Sequence, residues 1–266
     1  MLKIAVCVKQ VPKNQIGIDE NTGNIIREDG LNCMNIYDYA AVETALRIKE
    51  QTEAEVDIFT MGRMDSRGVL QEALALGADE GILISDSKYA GSDVLATSYI
   101  LSRGIMKKGD YHLIICGKQT TDGDTAQVSG AIASQLNWNY LPWIHEIAEV
   151  TEKEITACML MDFEKIEVTA IYPCVISVEP SIYTVRIPTL MNTLKSRKKN
   201  ITVYGQSELS LPEHAIGQKG APTRVAGIKN LTCKAVPAIR DLTAAEIVRL
   251  ICEEAECPLE SRGGYE

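Results

Sequence analysis

The chain has 266 residues, a formal net charge of −9 and 45% hydrophobic residues. That length suits one large α/β domain with an appendage, or two small domains. The acidic balance argues against non-specific nucleic-acid binding, which needs Lys and Arg to neutralise phosphates, and no apolar run reaches the roughly 18 residues of a membrane span. The opening MLKIAVCVKQVP lacks the long apolar core of a secretion signal, so it reads as a first strand and cytoplasmic residence is expected. Cys7, Cys116, Cys158 and Cys174 lie in apolar runs, no C-x-x-C occurs, and the three histidines form no ligand pattern, so no metal site is expected.

In chain order, Lys3 to Val8 reads as a strand. IGIDENTGNIIRE follows as a hairpin excursion about the turn Glu20-Asn21-Thr22-Gly23. Asp38 to Lys49 carries an apolar face with an acidic start and reads as a helix. Then come strand Val56 to Thr60, helix Asp65 to Leu76 stopped by Gly77, strand Gly81 to Ile84, helix Asp93 to Met106, strand His112 to Cys116 and helix Asp124 to Leu136. This alternation predicts an α/β fold of Rossmann-like type, a parallel sheet with helices on both faces. Glu154 to Met161 and Lys165 to Ile171 read as additional antiparallel strands, followed by Val175 to Val178. After Pro180 periodicity fades, with a weak helix over Thr243 to Ala255. The expected division is a nucleotide-binding domain over 1–190 and an extended C-terminal arm over 191–266 that packs on a partner subunit.

Small and polar residues collect where the strands end: Val8 to Pro12, Thr60-Met61-Gly62, Ser85 to Asp93, and Cys116-Gly-Lys-Gln-Thr-Thr-Asp-Gly-Asp-Thr-Ala-Gln127. Ligands of open parallel sheets bind at those ends. In the last loop Asp124 can cap a helix whose first N–H groups would face a phosphate, and Gly117 and Gly123 let backbone approach a ligand. An ordinary capped helix fits the same residues. No SGGxDS loop, no glycine series of stress-type ATP binders and no Ser-His-Asp or Cys-His set is present. A nucleotide with no protein acid, base or nucleophile beside it implies that the cofactor carries the chemistry and that the chain alone catalyses nothing.

VCVKQVP, NIYDYAAVETALRIKE (35–50), GKQTTDGDTAQVSGAIASQL (117–136) and PSIYTVRIPTLMNTLKSRKK (180–199) together resemble the β subunit of electron-transfer flavoproteins. The resemblance implies an αβ heterodimer whose α subunit holds a flavin serving a flavin-dependent dehydrogenase. It implies AMP in the β subunit or, in the electron-bifurcating branch, a second FAD. The nucleotide is expected to meet Cys7, Asn35 and Met61. Its phosphates are expected at Gly117 and at Asp122, Gly123, Asp124, Thr125, Ala126, Gln127 and Val128. LISDSKYAGSDVLATSYIL (83–101) resembles the bifurcating branch, in which NAD(H) exchanges electrons with the β-subunit FAD and ferredoxin or flavodoxin takes one of each pair. The nicotinamide is then expected near Tyr37, Tyr89 and Asp93, although Asp93 also reads as a helix cap. Ile187-Pro188, with Lys195, Arg197, Lys198 and Lys199 beside them, matches the family's docking segment for dehydrogenases. A stand-alone ATP-binding protein is the alternative from another class.

Overall fold

A nine-stranded sheet is the largest of the sheets in the computed structural model, which describes residues 1–13, 17–18, 25–26, 32–161, 164–224 and 243–255. The elements follow in chain order. β1 is Lys3–Cys7, β2 Gln10–Pro12, β3 Gly17–Ile18, β4 Ile25–Ile26 and β5 Asn32–Met34. Helix α1 (Ile36–Thr52), β6 (Glu55–Met61), α2 (Arg67–Leu76), β7 (Glu80–Ile84), α3 (Val94–Lys108), β8 (Leu113–Gly117) and α4 (Val128–Leu136) continue the alternation. Then come β9 (Asn139–Val150), β10 (Glu154–Leu160), β11 (Lys165–Ile171), β12 (Cys174–Val178), α5 (Leu190–Ser196), β13 (Ile201–Tyr204), α6 (Gln206–Leu209), α7 (Gly217–Gly220) and α8 (Ala244–Ala255). Two compact units result, Met1–Gly227 and Ile228–Glu266; α8 is the described element of the second.

The sheet order is β11-β10-β9-β12-β8-β1-β6-β7-β13. The core strands are short runs of Ile, Val, Leu and Ala because both faces are covered. Successive residues therefore serve opposite layers. Ile4 and Val6 of β1 join the cluster built with α1 and α2, including Ala41, Ala45, Leu70 and Leu74. Ala5 joins the other, with Phe59, Ile100, Ile105 and Ile132 from β6, α3 and α4. Asn32–Met34 pairs with Gln10–Pro12, and Gly17–Ile18 pairs with Ile25–Ile26, both antiparallel, giving the expected hairpin excursion; its predicted turn at 20–23 lies outside the described residues.

Three features differ from the sequence expectation. β9 was not anticipated. It runs parallel to β12 over its first half and antiparallel to β10 over its second, turning at Trp143, whose φ is 52°. β13, in the stretch read as the beginning of the arm, adds to the sheet parallel to β7, with Ile201 opposite Gly81 and Tyr204 opposite Ile84. Finally, α4 begins at Val128 and not at Asp124: Asp124 (φ 49°) and Ala126 (φ 53°) are left-handed, so the helical path starts only after them. No helix among the described residues is long and apolar enough to cross a membrane.

Candidate functional site

From β1 the chain steps outward through β6 and β7, then crosses back to place β8 on the other side of β1. The strand order reverses there, and the loops leaving β1 and β8 diverge. A cleft of about 880 Å³ opens at these carboxyl ends, walled by the loops after β1, β6, β7 and β8. Of the residues singled out from sequence, Cys7, Met61, Gly117, Asp122, Gly123, Thr125, Ala126, Gln127, Val128, Tyr89 and Asp93 line it. Asn35, Asp124 and Tyr37 are not among the lining residues; they hold the wall from behind.

Gly117 ends β8. A Cβ there would run into the Asp38 carboxylate and the Tyr37 backbone carbonyl, so the close passage of β8 over the start of α1 requires glycine. Asn35, fully buried, ties the next residues down: its Nδ2 donates to the Gln119 carbonyl (2.8 Å) and its Oδ1 accepts from the Thr121 amide (3.2 Å). Gln119 Nε2 reaches both the Tyr37 hydroxyl (3.2 Å) and the Asp124 carboxylate (2.5 Å). Asp124 therefore braces the loop instead of capping α4. That helix carries no side-chain cap bond, its N-cap position being Gln127. The first amides of α4 have no intrahelical acceptor, and alternating left-handed residues just before a helix turn N–H groups to one side. Gln127, Val128 and Ser129 line the cleft, so the uncapped, positive end of this helix borders it, a fit for an anionic group such as pyrophosphate.

Two charged residues that the sequence did not single out as ligands shape the floor. Lys9 Nζ bonds the Asp122 carboxylate at 2.6 Å, with Asp122 almost wholly enclosed and Lys9 partly exposed. Burial works against ionising Asp122, but Lys9 outweighs it and holds the carboxyl below its ordinary range. Asp38 is buried and accepts the Lys9 amide at 2.7 Å; burial dominates and pushes its pKa up to about 7. Cys7 and Cys116 lie side by side across β1 and β8. The bond to Cys7 and burial push the Cys116 thiol well above its usual range. Lys9 directly follows a strand end and could have been suspected from that; Asp38 in a first helical turn looked like an ordinary dipole-complementing carboxylate.

The opposite wall is a short 3-10 turn, Ser87–Tyr89, with the start of α3. Asp93 caps α3, its Oδ1 accepting from the Ala96 amide (3.1 Å), while its Oδ2 accepts from the Thr223 amide (3.0 Å). Tyr89 is 4% exposed and its hydroxyl donates to Gln206 (3.2 Å). Asp86 accepts from the amides of Lys88 (2.9 Å) and Gln206 (3.0 Å). Gly217, at φ 55°, lies against the Lys88 carbonyl where any Cβ would collide. The segment after β13 thus straps this wall, and the Tyr89 and Asp93 side chains are engaged by it. No sequence signal pointed to the strap.

The expected docking residues lie away from the cleft. Ile187 is 88% exposed, and Leu190, Met191 and Leu194 on α5 are exposed too. Pro188, Lys195, Arg197 and Lys198 are exposed beside them.

Residues 22–209 match the profile of the electron transfer flavoprotein domain. The chain is 35% identical to the caffeyl-CoA reductase-Etf complex subunit CarD of Acetobacterium woodii, over 84% of this chain and 86% of that protein. It is similarly 35% identical to an electron transfer flavoprotein subunit beta of Thermoanaerobacterium thermosaccharolyticum, over the same shares. Protein FixA of Azotobacter vinelandii is 35% identical, over 84% of this chain and 82% of that protein.

Proposed function

Because the chain belongs to the electron transfer flavoprotein family, we propose that it is the β subunit of a heterodimer that binds FAD in the cleft, exchanges electrons with NAD(H), and bifurcates them between ferredoxin or flavodoxin and an α-subunit FAD serving a dehydrogenase. The observation that carries this reading is a cleft of about 880 Å³ lined by Gln127, Val128 and Ser129 at the start of α4, a helix with no side-chain cap. Small-molecule sites span roughly 300–1,000 Å³, so this one is at the dinucleotide end of the range. AMP alone, the second reading, uses the same phosphate cradle and fills the cleft less. The likeness of residues 83–101 to the bifurcating branch favours FAD. The reductase complex in the name of one relative favours a reductase or dehydrogenase partner.

In this reading FAD, when bound, supplies the acceptance of a hydride and its release as single electrons. The chain binds, orients and shields. The amides of 125–128 hold the pyrophosphate, Gly117 permits close approach, and Cys7 and Met61 border the nucleotide. Lys9 and Asp122 join two loops at the floor of the site. Ile187 and Pro188 form the apolar anchor that a flavin-dependent dehydrogenase covers, with Lys195, Arg197 and Lys198 raising the encounter rate. Helix α8, on which Ile247 and Val248 are exposed, packs on the α subunit. The heterodimer resides in the cytoplasm.

The test is nucleotide content. The chain is purified with its co-expressed α subunit, denatured, and analysed for FAD and AMP by chromatography. Two FAD per heterodimer without AMP is the expected result. One FAD with one AMP replaces the bifurcating reading by a one-flavin electron carrier. A chain that purifies folded without an α subunit and retains ATP supports the stand-alone alternative.

A further inference from the structure

Helix α1 carries Glu43, whose side chain is only 2% exposed and is surrounded by donors. Its Oε2 accepts from the amide (3.2 Å) and Nε (2.9 Å) of Arg186. Its Oε1 accepts from Arg186 Nη2 (3.2 Å) and from Arg47 Nε (2.8 Å). Arg186 Nη1 bonds Glu50 at 2.6 Å, about two helical turns further on. The Arg47 guanidinium in turn lies over the Tyr183 ring, 4.4 Å from its centroid. Burial opposes the charge on Glu43, but Arg186 and Arg47 outweigh it and hold the carboxyl below its usual range. A planar guanidinium fork spread over two carboxylates fixes direction as well as charge.

The residue after this clamp is Ile187, the most exposed large apolar side chain of the docking segment. The far end of that segment is fixed as well. Thr189 Oγ1 caps α5 through the Asn192 amide (3.1 Å), and Gln71 Nε2 of α2 donates to Ser196 Oγ (3.1 Å). An exposed isoleucine is thus held between two anchored points. Ordering an exposed segment before it meets a partner removes an entropic cost from binding.

We propose that Arg186 is the positioning residue of the docking segment: its fork on Glu43 and Glu50 presents Ile187 pre-ordered to the flavin-dependent dehydrogenase. The inference rests on the docking role given above to Ile187 and Pro188. It also makes α1 a common support, since the same helix begins under the cleft at Asn35 and Asp38.

The experiment uses the heterodimer with its co-expressed α subunit and a flavin-dependent dehydrogenase that turns over with the wild type. Coupled turnover is measured against heterodimer concentration for Arg186→Gln, Arg186→Lys, Glu50→Gln and Ile187→Ala. For Arg186→Gln, KM for the heterodimer is expected to rise about tenfold, the scale of re-ordering a few side chains. Its kcat and flavin content stay unchanged, and amide exchange over 187–191 is faster. Arg186→Lys, which keeps the charge without the fork, falls between. If Ile187→Ala raises KM and Arg186→Gln does not, the positioning role is overturned while docking stands. If Ile187→Ala leaves KM unchanged, both fall. Should Arg186→Gln fail to fold, Glu50→Gln removes only the exposed arm of the clamp. A rise in its KM supports the proposal and an unchanged KM overturns it.

Discussion

Lys9 and Asp122 form a 2.6 Å ion pair that joins the loop after the first strand to the loop after β8. The carboxylate is enclosed and the ammonium is partly in solvent, so the pair is asymmetric. Removing Lys9 leaves a buried anion without its partner, whereas removing the charge of Asp122 leaves a lysine free to turn outward. Lys9→Gln is therefore expected to be the more damaging change, by about 1–3 kcal/mol in unfolding free energy. It is also expected to lower the nucleotide retained after gel filtration. Denaturant titration of both variants checks the order; equal losses contradict the asymmetry.

Gly117 offers a second test. Alanine there must displace the Tyr37 backbone or the Asp38 carboxylate. Overpacking of that kind costs roughly 1–3 kcal/mol, and it moves the loop that carries the proposed phosphate cradle. Gly117→Ala is expected to purify with little or no nucleotide and with a lower Tm. A variant with full nucleotide content shows that the loop tolerates the shift.

Asp38 gives a pH dependence with a definite sign. Its carboxyl is raised to about 7 in the folded chain, chiefly by burial, with the Lys9 amide and Lys9 charge opposing and the Asp122 charge assisting. The folded state thus holds this proton more tightly than the unfolded one. The contribution is fully present below about pH 4 and is lost as pH rises to about 7. Asp38→Asn should flatten that part of the stability profile by on the order of 3 kcal/mol relative to wild type. Denaturation at pH 5 and pH 8 for both proteins measures it; parallel profiles rule it out.

Asp93 and Tyr89 separate cofactor contact from wall building. Asp93→Ala removes the α3 cap and the Thr223 bond, at a cost of about 1 kcal/mol for the cap, while Asp93→Asn retains the cap. Tyr89→Phe loses only the bond to Gln206. If these residues act on NADH directly, Asp93→Asn and Tyr89→Phe slow flavin reduction with stability intact. If they only hold the strap, stability falls in Asp93→Ala and stopped-flow reduction rates follow it.

Most of the sheet was legible because its strands are apolar runs between turn residues and its helices keep one apolar stripe. β9 escaped because Pro142 and the left-handed Trp143 interrupt its alternation, and because its two halves pair in opposite directions. β13 escaped because four residues, ITVY, become a strand only when β7 offers an edge. The left-handed pair Asp124 and Ala126 defeated the placement of the α4 start, since Asp and Thr there mimic a cap. The cleft residues followed from strand ends and from family likeness. The bracing roles of Asn35, Asp38 and Gln206 depend on contacts between residues tens of positions apart, and no local pattern encodes those.

The parallel pairing of Ile201–Tyr204 with Gly81–Ile84 has a consequence for biosynthesis. Until residue 204 has left the ribosome, β7 is an open flank of apolar backbone with unpaired amides and carbonyls, the kind of edge that recruits foreign strands. Some 120 residues of chain are made between the two strands. A nascent chain stalled or clipped before Ile201 would therefore carry a nearly complete sheet with a sticky border, making that stretch of translation the window in which this subunit is most dependent on a holding chaperone.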